Sequence, residues 1–201
     1  AAESIEILRQ PLPDRGLPAP EARTFAVPEL PIAIDLAELE VGRLSVEQDV
    51  FGLAAVLSVE GSLRMEAGTL DADLAVTRLD GPGGQLNLAA NYSNQTQFLD
   101  VDMTFSEPAN GVVANLLKIP DRPPLSLTVN GSGPIENFDL AISLQAAGNQ
   151  VADGQVRLRR RGEGIAFTAD LSGAFEQLLP GPYRGFFGAQ TSLSASGEAR
   201  G

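Results

Sequence analysis

The feature that most constrains this chain is a two-residue alternation of apolar and polar side chains, repeated loosely at an interval of roughly 66–70 residues. Gly84-Gln85-Leu86-Asn87-Leu88 aligns with Gly154-Gln155-Val156-Arg157-Leu158. Alternating runs follow in each copy, Leu99 to Phe105 and Ile165 to Leu171, and then helix-like inserts, Glu107 to Ile119 and Ala174 to Leu179. Each copy closes on a similar segment, Leu125-Ser126-Leu127-Thr128-Val129-Asn130-Gly131 and Thr191-Ser192-Leu193-Ser194-Ala195-Ser196-Gly197. Successive side chains of a strand face opposite sides, so such a pattern predicts stacked β-units, each with one apolar and one wet face. Antiparallel sheets with one solvated face read this way, whereas buried parallel strands would be apolar throughout.

The cleanest alternation begins at Leu57. Leu57, Val59, Leu63 and Met65 oppose Ser58, Glu60, Ser62 and Arg64, and Leu70, Leu74 and Val76 oppose Asp71, Asp73 and Thr77. The same holds for Leu86 to Tyr92, Leu99 to Phe105, Leu125 to Val129, Phe138 to Leu144, Val156 to Leu158 and Ile165 to Leu171. The separators Asp80-Gly81-Pro82-Gly83-Gly84, Asn130-Gly131-Ser132-Gly133-Pro134, Gly148-Asn149-Gln150 and Gly162-Glu163-Gly164 are turn chemistry. The prediction is a meander of about nine amphipathic strands. Ahead of it, Ile34, Leu36, Leu39, Val41, Leu44 and Val46 alternate with phase breaks that mark bulges. Residues 1–31 hold six prolines and read as an extended lead-in with one short strand at Ile5 to Leu8. The chain therefore divides into that lead-in and a repetitive β segment, 32–201, with its copies at 61–133 and 134–199.

Two inserts break the alternation. Val112, Val113, Leu116 and Leu117 share a helical face between Ser106, a capping residue type, and Pro120. Phe175, Leu178 and Leu179 form a shorter stripe ended by Pro180, followed by the aromatic cluster Tyr183, Phe186 and Phe187. Both inserts read as core-packing helices, with a lid over one mouth of the sheet as the other reading.

The chemistry available is narrow. Cys and His are both absent, which removes thiol and imidazole nucleophiles, the Ser-His-Asp triad and soft-ligand metal sites. Net charge is −12, which argues against nucleic acid and against electrostatic attachment to anionic head groups. Asp71 with Asp73, and Asp100 with Asp102, read as a solvated face rather than a cation site. Arg157, Arg159, Arg160 and Arg161 read as an edge strand guarded by charge, rather than a phosphate site. Gly81-Pro82-Gly83-Gly84 lacks the Lys-Ser/Thr of a phosphate loop. Asn91, Asn94 and Asn130 open glycosylation sequons, short matches with a high chance rate. No cofactor is called for, and an enzyme is the least favoured class. No run of about 18 apolar residues is present, and the chain begins with Ala, so it reads as a piece of a longer protein whose anchor lies elsewhere.

What is left is a long aliphatic surface. Apolar residues are 43% but aromatics only 5%, so that surface is mostly Leu, Val, Ile and Ala. Closed on itself, it is an ordinary core; curled but open, it is a trough lined by Leu57, Val59, Leu74, Leu88, Val101, Leu127, Leu140, Ile142 and Phe167. Composition does not separate the two.

Several phrases resemble the TamB family of Gram-negative bacteria, within the wider AsmA-like group. They are Leu79-Asp80-Gly81-Pro82-Gly83-Gly84, the alternation ending in Ser106-Glu107-Pro108, the stretch from Leu125 to Phe138, Leu178-Leu179-Pro180-Gly181-Pro182-Tyr183-Arg184, and Phe186-Phe187-Gly188. The resemblance spans most of 30–200 and carries structural phrases, not catalytic ones. It implies an internal segment of an inner-membrane-anchored protein crossing the periplasm. Its antiparallel strands would curl into an elongated half-pipe with an apolar interior and two short helical inserts. It also implies phospholipid transport towards the outer membrane and an outer-membrane barrel partner. The competing expectations are a scaffold that pairs client β-strands by strand addition and a closed β spacer.

Overall fold

The computed structural model describes residues 5–7, 27–28, 33–162, 164–185, 188 and 190–199. The strands are β1 (Ile5–Ile7), β2 (Ile34–Val46), β3 (Ala55–Glu66), β4 (Thr69–Arg78), β5 (Gln85–Ser93), β6 (Phe98–Glu107), β7 (Leu125–Pro134), β8 (Asn137–Ala146), β9 (Asn149–Arg161), β10 (Gly164–Gly173) and β11 (Thr191–Ala199). They form one sheet in sequence order, and β2 does not pair with β11, so the sheet is open. β2 to β11 are antiparallel, while β1 lies parallel to β2. The protein is thus all-β, an antiparallel sheet curled into a half-pipe. Short turns leave each strand no neighbour but the next, which is why the order is a plain meander.

The expected bulges in β2 are present, with register shifts between Leu36 and Leu39 and between Val41 and Leu44. Most of the lead-in, including Leu8, lies outside the described residues. Val27 is an exception: its backbone N–H donates to Asn94 Oδ1 at 2.9 Å and its carbonyl accepts from Asn94 Nδ2 at 2.8 Å. Asn94, read from sequence as a sequon, here clamps the lead-in onto the turn between β5 and β6.

Alternate connections fall on opposite margins of the sheet. One margin carries tight turns. The other carries α1 (Gln48–Phe51), α2 (Val112–Leu116), and a 3-10 turn (Phe175–Leu178) followed by α3 (Gly181–Arg184). α1 is an insert that periodicity does not reveal, since four residues make barely one turn. The strands entered after these inserts, β3, β7 and β11, share a phrase: Leu57-Ser58-Val59-Glu60-Gly61, Leu127-Thr128-Val129-Asn130-Gly131 and Leu193-Ser194-Ala195-Ser196-Gly197. The first of these lies outside the two copies at 61–133 and 134–199 that the alternation predicts.

Three expectations need correction. Ser106 does not cap the first insert: it lies within β6, and the helix begins at Val112 after Gly111. The second insert is more than one helix: its apolar stripe does end before Pro180, but as a 3-10 turn, and a separate helix, α3, begins at Gly181. The arginine run is not on an edge. β9 is paired on both sides, and Arg157 and Arg159 lie on its wet face beside Asp170 at 3.4 Å and Asp139 at 2.5 Å, while Arg160 pairs with Glu136. β8, β10 and the turn between β7 and β8 offer a carboxylate beside each of these three arginines, so the charges tie neighbouring strands together. The Tyr183 side chain, Phe186 and Phe187 lie outside the described residues.

Two apolar clusters secure the margins. At the helical margin, Ala114 and Ile119 pack with Leu125, Ala146 and Val151, and Phe105, Val113, Leu144 and Leu178 join them. At the turn margin, Val27, Tyr92 and Ile135 are buried, with Met65, Leu70, Leu99 and Ile165 against them.

Candidate functional site

The registers carry one largely apolar face from β2 to β8. Leu74 pairs with Leu88, Leu88 with Met103, Met103 with Val129, and Val129 with Ile142. A second row runs Val41, Val59, Val76, Leu86, Phe105, Leu127 and Leu144. A third places Val101 opposite Ala90 and Gly131, and Gly131 opposite Leu140. Leu57 pairs with Leu44 on β2, and Phe167 with Leu158 on β9. The nine residues read from sequence as a trough lining therefore stand on the same face. They do not converge on one point; they spread over β3 to β8 and β10.

Cover separates a core from a trough. A residue flanked in its row by two neighbours loses part of its surface to them, and only a second layer buries the rest. Leu74, Leu88, Met103, Val129 and Ile142 are all half-buried rather than buried. Towards the outer strands the face is barer still: Leu36 is 40% exposed, Phe167 40% and Leu193 43%. The opposite face is polar, with Asp71, Asp73, Asp100 and Asp102 all exposed.

Glycines on the inner face allow a close approach between strands. A Cβ on Gly61 would overlap the Asp73 carbonyl oxygen of β4, and one on Gly154 the Asp170 carbonyl oxygen of β10. In both places the neighbouring backbone leans over the apolar face, which only a residue without a side chain permits.

At the helical margin the face deepens into a cavity of about 340 Å³, within the size range of small-molecule pockets. Its walls are Leu57, Val76, Leu86, Phe105 and Leu127 from the sheet, with Phe51 of α1 and Val112 and Val113 of α2 above. α1 and α2 meet there, Asn115 Nδ2 donating to the Phe51 carbonyl at 3.3 Å. Glu107, 6% exposed, holds α2 in place: Oε2 accepts from the Val113 amide at 2.9 Å and Oε1 from the Ala114 amide at 2.7 Å. Those are helix-start amides with no partner inside the helix.

The same cavity contains a cation that sequence reading passed over. Arg78 pairs with Leu57 on the apolar face, and its side chain is only 7% exposed. Nε and Nη2 donate to Asp80 at 3.0 and 3.4 Å, while Nη1 is buried with no hydrogen-bond partner among the described residues. A buried donor left unmade costs about 1–3 kcal/mol, more when charged. The signal was legible: Arg78 stands in the apolar phase of Leu74 and Val76, two residues on.

Asp80 ties this corner together, since Oδ1 also accepts from the Val56 amide at 2.8 Å. The hydrogen bond from Arg78 holds its carboxyl below the usual carboxylate range, against the opposing effect of burial and with help from the Val56 amide. A carboxyl whose folded value lies below its unfolded value, about 3.9, contributes stability above that unfolded value. The contribution is lost as pH falls through the folded one. Asp80→Asn should therefore flatten the acid limb of stability below about pH 4. Urea midpoints measured down that limb check it; parallel losses in both proteins would contradict it.

No family model, curated protein or solved structure matches this chain.

Proposed function

We propose that this chain is a non-enzymatic segment of a periplasm-spanning, inner-membrane-anchored protein of the TamB kind, and that its apolar face shields phospholipid acyl chains in transit towards the outer membrane. The observation that carries the reading is the incomplete cover of that face: a continuous aliphatic row, half-buried along its length and barer at the outer strands. Soluble proteins rarely leave large contiguous apolar patches bare, so such a face calls for an occupant. Acyl chains suit it, because each Å² of apolar surface they cover contributes about 25 cal/mol. Arg78 apart, the floor also offers few polar contacts to arrest a sliding chain. The barrel partner in the outer membrane belongs to the same proposal.

Native mass spectrometry of the purified chain, with lipid extraction from the same sample, tests it. Phospholipid should co-purify at a defined stoichiometry, and Leu127→Glu or Leu140→Glu should abolish it by placing a charge on the lining. Normal lipid occupancy in a folded variant would sink the reading.

One observation favours a second reading. β11 presents its outer edge without a partner strand among the described residues, an arrangement suited to pairing a client strand. Proline at outward-facing β11 amides should abolish client pairing and leave lipid occupancy intact.

A further inference from the structure

We propose that Arg78 is a head-group site: its free Nη1 takes the anionic oxygen of an amphiphile whose chain lies in the cavity beneath α1 and α2. The inference rests on the acyl-shielding reading and adds to it a fixed polar anchor and a chemical class of ligand.

Geometry supplies the argument. Asp80 engages the Nε–Nη2 side of the guanidinium, which fixes the plane of the group and leaves Nη1 on the side away from it. Both Nη1 N–H donors are thereby left unpaired and desolvated, on a side chain that lines the cavity. The only other charged residue in the lining, Glu107, has both oxygens turned to the α2 amides. Asp80 also accepts from Val56, so it is committed too. Nη1 has no hydrogen-bond partner among the described residues, and the anionic oxygen of a ligand would supply one. Arginine pairs best with phosphate or carboxylate oxygens, through short charge-assisted bonds. Apart from Gln85 and Glu107 the rest of the lining is apolar or glycine, which suits a hydrocarbon tail. Phosphate and carboxylate heads share the chemistry required.

The test compares three twelve-carbon probes on the purified chain, each below its micellar concentration: dodecyl phosphate, dodecanoate and dodecanol. The expected result is that one or both anions bind at least about tenfold tighter than dodecanol, a difference of about 1.4 kcal/mol. The tighter anion identifies the head group. Arg78→Met should narrow the three affinities to within about threefold of one another. Because that variant also strips Asp80 of its partner, a second readout uses the unmodified protein. The ¹⁵N resonance of the Arg78 guanidinium should shift on saturation with the tighter anion and not with dodecanol. Three equal affinities with an unmoved Arg78 signal would overturn the head-group site while leaving the acyl-shielding reading standing. Failure of all three probes to bind would overturn both.

Discussion

Replacing Gly154 with alanine is expected to cost about 3 kcal/mol or more of unfolding free energy, at the top of the range for overpacked interiors. The added Cβ would fall on the Asp170 carbonyl oxygen and against the Leu171 Cα at 2.9 Å. Neither atom has room to retreat. Asp170 and Leu171 lie mid-strand in β10, paired to β9 on one side and β11 on the other, so moving one peptide strains two ladders. Adjusting β9 instead would disturb the ion pairs of Arg157 and Arg159. The control is Gly42→Ala at the β2 bulge, where a Cβ meets nothing within 4 Å and the change should stay within about 0.5 kcal/mol. Urea unfolding followed by circular dichroism reads both. Equal midpoints would show that the close approach of β9 and β10 is not a constraint on the native sheet.

The second large effect lies at the helical margin. Glu107→Ala should lower stability by about 2–4 kcal/mol, because the part-buried Val113 amide and the buried Ala114 amide lose their acceptors at roughly 1–3 kcal/mol each. Glu107→Gln, retaining one acceptor oxygen, should fall between. Ser106→Ala should change little, within about 0.5 kcal/mol, since Ser106 is exposed on the outer face of β6. The pair separates the two capping schemes directly: a cost at Ser106 and none at Glu107 would restore the scheme expected from sequence. The cavity supplies a further measure. α2 roofs it through Val112 and Val113, so loosening α2 should also weaken dodecanol binding.

These predictions sit where local pattern gives out. A glutamate at the end of a strand that reaches six and seven residues ahead has no short-range signature, whereas Ser followed by a helical stripe looks like a cap. α1 is too short for its apolar spacing to register, although the phrase Leu57-Ser58-Val59-Glu60-Gly61 behind it was there to be matched with its two counterparts. The arginine run reads as an edge because four cations within five residues seldom enter a sheet's interior. Here Asp170, Asp139 and Glu136, distant in sequence, stand next to Arg157, Arg159 and Arg160. Arg78 is the opposite case: it continues the phase of Leu74 and Val76 with a charged side chain, which an apolar alternation does not register.

Alternation by itself determined that this chain makes antiparallel strands with one aliphatic and one wet face, joined by turns at its Gly- and Pro-rich separators. Side-chain direction in a strand has a period of two whatever surrounds it, so that much needs no partner. The tertiary structure alone decided that the sheet stays open, that β9 lies inside it, and that a buried arginine faces an apolar cavity. Each of those depends on which backbone lies beside which and on what covers a face, and periodicity along one strand carries no record of either.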